Sequence, residues 1–216
     1  MFKVLTDYKL CPDNRLTVAG FNYSEEFVRS SYGLKGTSNK EFNRLAYSLF
    51  DKEDIFILEL GSGDGNFIND CVEDAKNAVG LDGFWILDKF KPGRWALLPN
   101  NLFSCDVCRL FTMLFCGVAV KFDLITSFEF MEHLFEEDVD GTIMNIADHL
   151  KDTGYYICSI STRNCDGHFC IRDREWWLAK FEKYNLIETQ EFYSKFDNKY
   201  LRNLSDSMYF ILKNKQ

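Results

Sequence analysis

The sequence predicts an α/β fold, a mostly parallel sheet with helices on both faces, and two observations predict it. Short apolar stretches of strand character alternate with stretches of helical period from residue 55 onward, the order expected of βαβ units. The first of them, Ile55 to Leu60, runs directly into Gly61-Ser62-Gly63-Asp64-Gly65 and then into helix-like sequence. Glycine has no Cβ, so such a turn takes φ > 0 and lets a ligand lie against the backbone. Placed after a buried strand, it is the cofactor cradle of an α/β sheet, at the strand's carboxyl end.

Residues 1 to 40 have little periodicity, with turn residues at Pro12-Asp13-Asn14 and from Gly33 to Asn39. Residues 1–50 therefore read as a helical lid or irregular extension on a core of residues 51–216, in one domain. Ser38 or Asn39 caps a helix whose Phe42, Leu45, Ala46 and Phe50 share a face. Ile55 to Leu60 is a buried strand, Asn66 to Ala75 the helix after the glycine turn, and Asn77 to Leu81 a second strand ending in Asp82. Trp85, Pro92-Gly93, Trp95 and Pro99-Asn100 divide the next stretch into a short helix and loops. Leu102 to Cys105 is a third strand ending in Asp106, and Phe122 to Phe128 a fourth, followed by Glu129-Phe130-Met131-Glu132-His133. Ile143, Ile146, Ala147 and Leu150 mark one face of a helix, and Tyr155 to Ile160 is a fifth strand. Asp173 caps a helix with Trp177, Phe181 and Tyr184 on one side, and with Lys180 and Lys183 near its end, where the dipole favours cations. Two strand-like segments, Leu186 to Phe192 and Ser207 to Leu212, close the chain.

Composition narrows the function. A length of 216 residues buries a full core, and 21 phenylalanines favour an aromatic-lined one. The net charge of −8 argues against generic nucleic-acid binding, which depends on Lys and Arg neutralising phosphates. Leu110 to Val120, the longest apolar run, is too short to span a bilayer, and the N-terminus lacks the layout of a signal peptide. The expectation is a soluble, cytoplasmic protein. Of the 8 cysteines, Cys105 and Cys108 form a C-x-x-C pair, but Cys165 and Cys170 are too far apart for a second, so reduced structural thiols are the better reading than zinc.

A dinucleotide fingerprint needs a third glycine three residues after the second; Asn66 stands there, so the NAD pattern fails. With Glu59 two residues before Gly61 the stretch reads E-x-G-x-G-x-G. On these residues the sequence resembles the class I S-adenosylmethionine-dependent methyltransferases. Asp82 stands where that family holds the ribose hydroxyls, a task suited to a carboxylate because it accepts both protons. Asp106 matches the acid facing the adenine amino group, with Val107 beside the ring. Phe122-Asp123-Leu124-Ile125 is like the family's fourth-strand motif, and Leu150-Lys151-Asp152-Thr153-Gly154 stands where a Leu-Lys-Pro-Gly-Gly turn is usual. The resemblance, over roughly residues 55 to 162, implies a seven-stranded Rossmann-like sheet with a reversed last strand. It also implies S-adenosylmethionine as donor, held by Glu59, Gly61, Ser62, Gly63, Asp82, Gly83, Asp106, Val107 and Phe128.

Methyl transfer from a sulfonium needs an acceptor lone pair in line with the methyl carbon, so the enzyme contributes orientation, and for a hydroxyl acceptor a base or metal. Glu129, Glu132 and His133 have i, i+3, i+4 spacing and share a face if that segment is helical. This E-x-x-E-H arrangement is similar to that of the ubiquinone-biosynthesis O-methyltransferases and the RNA 3′-end 2′-O-methyltransferases. The resemblance implies Mg²⁺ or Mn²⁺ on Glu129, Glu132 and His133, with His168 as a further ligand. Without metal, His133 is the base, assisted by Glu129 and His168; the plainest alternative is that Glu132 and His133 only fix the loop. Gly167-His168 through Arg174-Glu175-Trp176-Trp177 resembles a segment of surface-glycan and secondary-metabolite methyltransferases. Arg163, Arg172 and Arg174 either hold an acidic acceptor or make surface ion pairs. The expected activity is O-methylation of a small polar acceptor, such as a sugar-linked intermediate. A metal-dependent RNA 2′-O-methyltransferase and a non-catalytic cofactor-binding protein are the alternatives.

Overall fold

The computed structural model describes residues 1–8, 40–190, 192–193 and 206–215. In chain order these form β1 (Phe2–Leu5), α1 (Lys40–Tyr47), β2 (Phe56–Leu60), α2 (Asn66–Glu73), β3 (Asn77–Asp82), α3 (Trp85–Phe90) and α4 (Arg94–Leu97). Next come β4 (Leu102–Ser104), β5 (Thr112–Phe115), β6 (Val118–Ala119), β7 (Phe122–Phe128) and a 3₁₀ turn, Met131–His133. The remainder is α5 (Glu136–His149), β8 (Leu150–Ser161), α6 (Arg174–Lys183), β9 (Leu186–Glu188) and β10 (Ser207–Asn214). The main sheet has seven strands in the order β4-β3-β2-β7-β8-β10-β9. Its pairs are parallel except those of β10, which runs antiparallel to both neighbours. The expected Rossmann-like sheet with a reversed last strand is the one observed.

Strand alternation explains the two cores. Leu58, Leu60, Ile125, Tyr156, Cys158, Ile160, Phe210 and Leu212 point to one face and pack with Val139, Ile143 and Ile146 of α5 and Trp177 and Phe181 of α6. Their neighbours Ile57, Leu124, Ile157 and Ile211 point to the other, against Phe42, Ala46, Phe67, Ile68 and Cys71 of α1 and α2 and Ile86 and Leu87 of α3. Asp173 caps α6 as expected, accepting from the Trp176 N–H.

Several expectations change. The run from Leu110 to Val120 makes the β5–β6 hairpin, turning through Cys116 and Gly117, both with left-handed φ (51° and 84°), as a two-residue hairpin loop requires. β1 pairs with β5, placing the Phe2 ring against Phe115 and Phe56. The chain's first residues are thus a strand and Lys40–Tyr47 is the helix α1, while residues 9–39 of the predicted lid, with the Ser38 and Asn39 caps, lie outside the described residues. Helix α2 stops at Glu73 because Ala75 is left-handed (φ 58°) and Lys76 N–H closes on the Cys71 carbonyl at 2.9 Å. Leu150 opens β8 instead of extending the helix, and register jumps from Phe122↔Leu150 to Leu124↔Tyr155, so the expected turn is a bulge inside a strand. A Cβ on Gly154 would lie 2.9 Å from the Asp123 carbonyl, so glycine suits that bulge. No helix of the described residues is long and apolar enough to cross a membrane.

Candidate active site

Strand order reverses between β2 and β7, and the crevice outside their carboxyl ends collects the polar residues singled out in the sequence. Gly61, Gly63 and Gly65 all have left-handed φ (70°, 52° and 80°). The N–H groups of Gly61 and Ser62 both donate to the Leu81 carbonyl, at 2.9 and 3.0 Å, leaning the turn on β3. Asp82 locks it: one oxygen accepts the Gly63 N–H at 2.8 Å and the other the Phe84 N–H at 3.2 Å. Burial pushes the Asp82 carboxyl up to about 6, against the pull of those two donors. Trp95, fully buried, donates its indole N–H to the Gly63 carbonyl at 2.9 Å.

Glu59 is buried, and Oε2 has no hydrogen-bond partner. Burial, then the charges of Asp64 and Asp82, hold its carboxyl well above the usual carboxylate range. Ser62 Oγ and Asn66 Oδ1 are likewise buried and unpartnered. Buried polar atoms are nearly always paired, so three orphans around one glycine turn are the mark of a polar ligand's place. On the loop after β4, Asp106 is buried and accepts the Cys108 N–H at 3.0 Å. Val107 is core-packed, its carbonyl taking the Asn145 amide at 2.9 Å. Asp138, from the first turn of α5, is pushed up to about 6 by burial and then by Asp106 and Glu137. Gly83 is half-buried between Asp82 and Phe84. Phe128 is packed edge-on to Phe42 and Phe67 at 5.2 and 6.1 Å, engaged with α1 and α2.

At the end of β7 the shared helical face is not formed. Glu129 is left-handed (φ 50°) and the single 3₁₀ turn begins after it, at Met131. The Glu129 N–H instead donates to the carbonyl and hydroxyl of Ser159, each at 3.1 Å, and its Oε1 is buried and unpartnered. Glu132, His133 and His168 do come together, with one ligand atom from each within 4.8 Å of the others. Glu129 stands outside that trio, but its charge raises both Glu132 and His133. Both Glu132 oxygens are buried and unpartnered, and burial followed by Glu129 pushes its carboxyl up to about 7. Burial lowers His133 against the opposing pull of the Gly167 carbonyl.

His133 Nδ1 meets the Gly167 carbonyl at 2.8 Å and His168 Nδ1 the Arg163 carbonyl at 2.9 Å. A carbonyl only accepts, so both rings carry the proton on Nδ1 and the lone pair on Nε2, the tautomer of a base or metal ligand. The loop carrying His168 is tied down by Phe169 and Cys170 N–H bonds to the Glu132 carbonyl, at 2.8 and 3.0 Å.

The arginines are engaged: Arg163 pairs with Asp206 at 2.8 Å, Arg172 with Glu136, and Arg174 with Glu188 while lying 4.4 Å over the Phe210 ring. The Trp177 ring is core. Cys105 and Cys108 lie near Tyr8 and Thr142, and burial pushes the Cys105 thiol up to about 12. Sequence reasoning assigned no role to Phe130, Trp95, Ser159 or Asp138. Phe130 lies inside the quoted motif; Ser159 becomes visible only once β8 is paired with β7.

A family profile described as a methyltransferase domain matches residues 35–206. No curated protein sequence matches the chain. Among solved structures, the chain is similar to a TehB-like SAM-dependent methyltransferase from Corynebacterium glutamicum, with TM-score 0.58 and 16% identity over 83% of this chain and 90% of that one. It is similar to the CcbJ methyltransferase from Streptomyces caelestis, with TM-score 0.60 and 11% identity over 88% and 95%. A third is the 1,6-didemethyltoxoflavin-N1-methyltransferase of Burkholderia thailandensis, bound to its namesake substrate and S-adenosylhomocysteine, with TM-score 0.58 and 12% identity over 80% and 76%.

Proposed function

This chain belongs to the methyltransferase-domain family, and from that premise we propose that it is an S-adenosylmethionine-dependent O-methyltransferase for a small polar, sugar-type acceptor. The observation that carries the donor reading is the set of orphaned buried atoms on Glu59, Ser62 and Asn66 around the glycine turn. Glu59 suits the cofactor's ammonium, whose charge offsets the burial that raises the carboxyl. Asp82 would accept the ribose hydroxyls and Asp106 the adenine amino protons, with Ser62 and the backbone of Gly61 and Gly63 beside them. Gly83, Val107 and Phe128 would complete the walls. The cofactor, when bound, supplies an electrophilic methyl on a sulfonium.

At the acceptor end, His133 Nε2 takes the hydroxyl proton, and the Gly167 carbonyl stabilises the imidazolium that forms. His168, its ring edge-on to that of His133 at 4.7 Å, holds the acceptor beside the base, and the Glu129 charge favours His133 in its protonated form. The low histidine pKa keeps the base neutral and ready near pH 7. Alternatively Glu132, His133 and His168 would hold a divalent cation, the His133 Nε2 lone pair then ligating the ion instead of taking the proton: one carboxylate with two unpartnered oxygens and two Nε2 lone pairs are a mixed set better suited to Mn²⁺ than to Mg²⁺. Such an ion would lower the pKa of the acceptor hydroxyl. Glu129 lies outside the trio, beside the acceptor.

The test is a labelled-methyl assay on a panel of hydroxyl, amine and carbon acceptors, run with chelator and with Mg²⁺ or Mn²⁺ restored. Transfer to hydroxyl acceptors that falls at least tenfold in chelator, returns with metal and is lost in Glu132→Gln is expected. Full turnover in chelator removes the metal; transfer confined to amine acceptors removes the O-methyl reading.

A further inference from the structure

We propose that Tyr8 is a positioning residue for the adenine end of the cofactor site, a role that rests on the S-adenosylmethionine reading above. Tyr8 follows β1, far in sequence from every residue of the cofactor cleft. Its hydroxyl nevertheless donates to the Asp106 carbonyl at 2.7 Å and lies 3.5 Å from Cys105 Sγ. The Arg109 guanidinium sits over its ring, 4.6 Å from the centroid. Tyr8 therefore touches residues on both sides of the Asp106 side chain and the peptide of Asp106 itself.

That peptide is where orientation is decided. The Asp106 carbonyl also takes the Arg109 N–H at 3.2 Å, while its carboxylate takes the Cys108 N–H at 3.0 Å, closing a tight turn. On the far side the Asn145 amide holds the Val107 and Arg109 carbonyls at 2.9 and 2.8 Å. The turn is clamped from α5 by Asn145 and from the N-terminal strand by Tyr8. With the Tyr8 hydroxyl gone, the Asp106 carbonyl loses the shorter of these two bonds and the peptide is freer to rotate. The carboxylate that accepts the adenine amino protons rotates with it. The β1–β5 pairing supplies the lever, since β5 begins shortly after this turn and fixes where Tyr8 arrives.

The experiment compares Tyr8→Phe with wild type and with Tyr47→Phe, which loses a similar phenol-to-thiol contact (Tyr47 to Cys71, 3.1 Å) away from the adenine loop. Calorimetry with S-adenosylhomocysteine, and with its inosine analogue in which the adenine amino group is an oxygen, reads affinity and base discrimination. Losing one hydrogen bond predicts about three- to tenfold weaker S-adenosylhomocysteine binding in Tyr8→Phe. The preference for adenine over hypoxanthine should narrow by a similar factor, with both quantities unchanged in Tyr47→Phe. Kinetically, the KM for the methyl donor should rise while kcat and the acceptor KM hold. Unaltered affinity and discrimination in Tyr8→Phe overturn the proposal, and so does a Tyr8→Phe chain that is unfolded at the assay temperature, which would assign the phenol to structure alone. A wild-type chain that binds no S-adenosylhomocysteine overturns instead the cofactor reading beneath it.

Discussion

Replacing Gly61 by Ala tests the glycine turn through two separable terms. The residue has φ +70°, and an L side chain in that region costs about 1–2 kcal/mol. The new Cβ would also stand 2.4 Å from Phe130 Cδ2 and 2.7 Å from Cγ, so the ring must retreat by roughly 1 Å to reach ordinary contact. Overpacking of that kind costs about 1–3 kcal/mol. The sum, about 2–5 kcal/mol, lowers the melting temperature of a chain this size by about 4–20 °C. Gly117→Ala is the internal standard: it has φ +84° but nothing within 4 Å of the added Cβ, so it carries the first term alone. Thermal melts of both variants, and of Gly61→Ala with Phe130→Ala, isolate the clash as a favourable coupling of about 1–3 kcal/mol in the double mutant. The methyl would also fill the backbone surface proposed to receive the cofactor, so S-adenosylhomocysteine affinity should fall in Gly61→Ala and hold in Gly117→Ala. If Gly61→Ala melts no lower than Gly117→Ala and binds like wild type, the close approach of Phe130 to the turn does not constrain Gly61, and the reasoning fails.

Asp82 stands near 6, above the 3.8 of an exposed Asp, so it is largely protonated at pH 5 and ionised at pH 7. Hydroxyl donors favour the ionised form, so calorimetry should show S-adenosylhomocysteine affinity falling by up to about tenfold between pH 7 and 5, with a flatter profile in Asp82→Asn. Asp123 behaves oppositely: burial raises it, but Lys151, Lys52 and the Phe56 N–H outweigh burial and hold it below 3.8. Its contribution to stability is therefore present above pH 4 and lost as pH falls through the depressed folded value; Asp123→Asn should melt lower than wild type at pH 7, with the gap closing below pH 4. Asp173→Ala removes the acceptor of the Trp176 N–H at 2.8 Å and should cost about 1 kcal/mol, or about 2–4 °C in a melt, with methyl transfer intact.

The central sheet was legible because its strands announce themselves one at a time. Ile55 to Leu60 is apolar but for Glu59 and runs into a glycine turn, and the next three predicted strands run into Asp82, Asp106 and Glu129. β5 and β6 were not legible as strands, since their residues form one apolar run and the turn between them is Cys116-Gly117, only half of the usual Asn-Gly signal. What makes a hairpin of that run is the third strand, β1, arriving from more than 100 residues away in register Phe2↔Phe115. The bulge in β8 was read as a turn for a related reason: Lys151 to Gly154 carries turn chemistry, and only pairing of Leu150 with Phe122 reveals that the strand has already begun.

The two halves of the site differ in the same way. The proposed donor half is built on local backbone, so the spacing of Glu59, Gly61, Gly63 and Gly65 was enough to suggest it, and Asp82 braces that turn by bonding the Gly63 N–H. The acceptor half was inferred from a helical face that does not form, yet Glu132, His133 and His168 still converge. They converge because the Glu132 carbonyl takes two N–H groups from the loop after β8, and because Asp206 holds the start of that loop through its backbone carbonyl, which takes the Thr162 N–H at 2.7 Å, and through its carboxylate on the Arg163 side chain. The histidine pair thus depends on a residue at the foot of β10, where the reversed strand returns to the crevice. Asp206→Ala keeps the Thr162 bond to its carbonyl and removes only the exposed Arg163 ion pair, which contributes little, so kcat should fall by no more than about fivefold while S-adenosylhomocysteine affinity stays at its wild-type value. A variant that lost donor affinity instead would show that the two halves are not separately built.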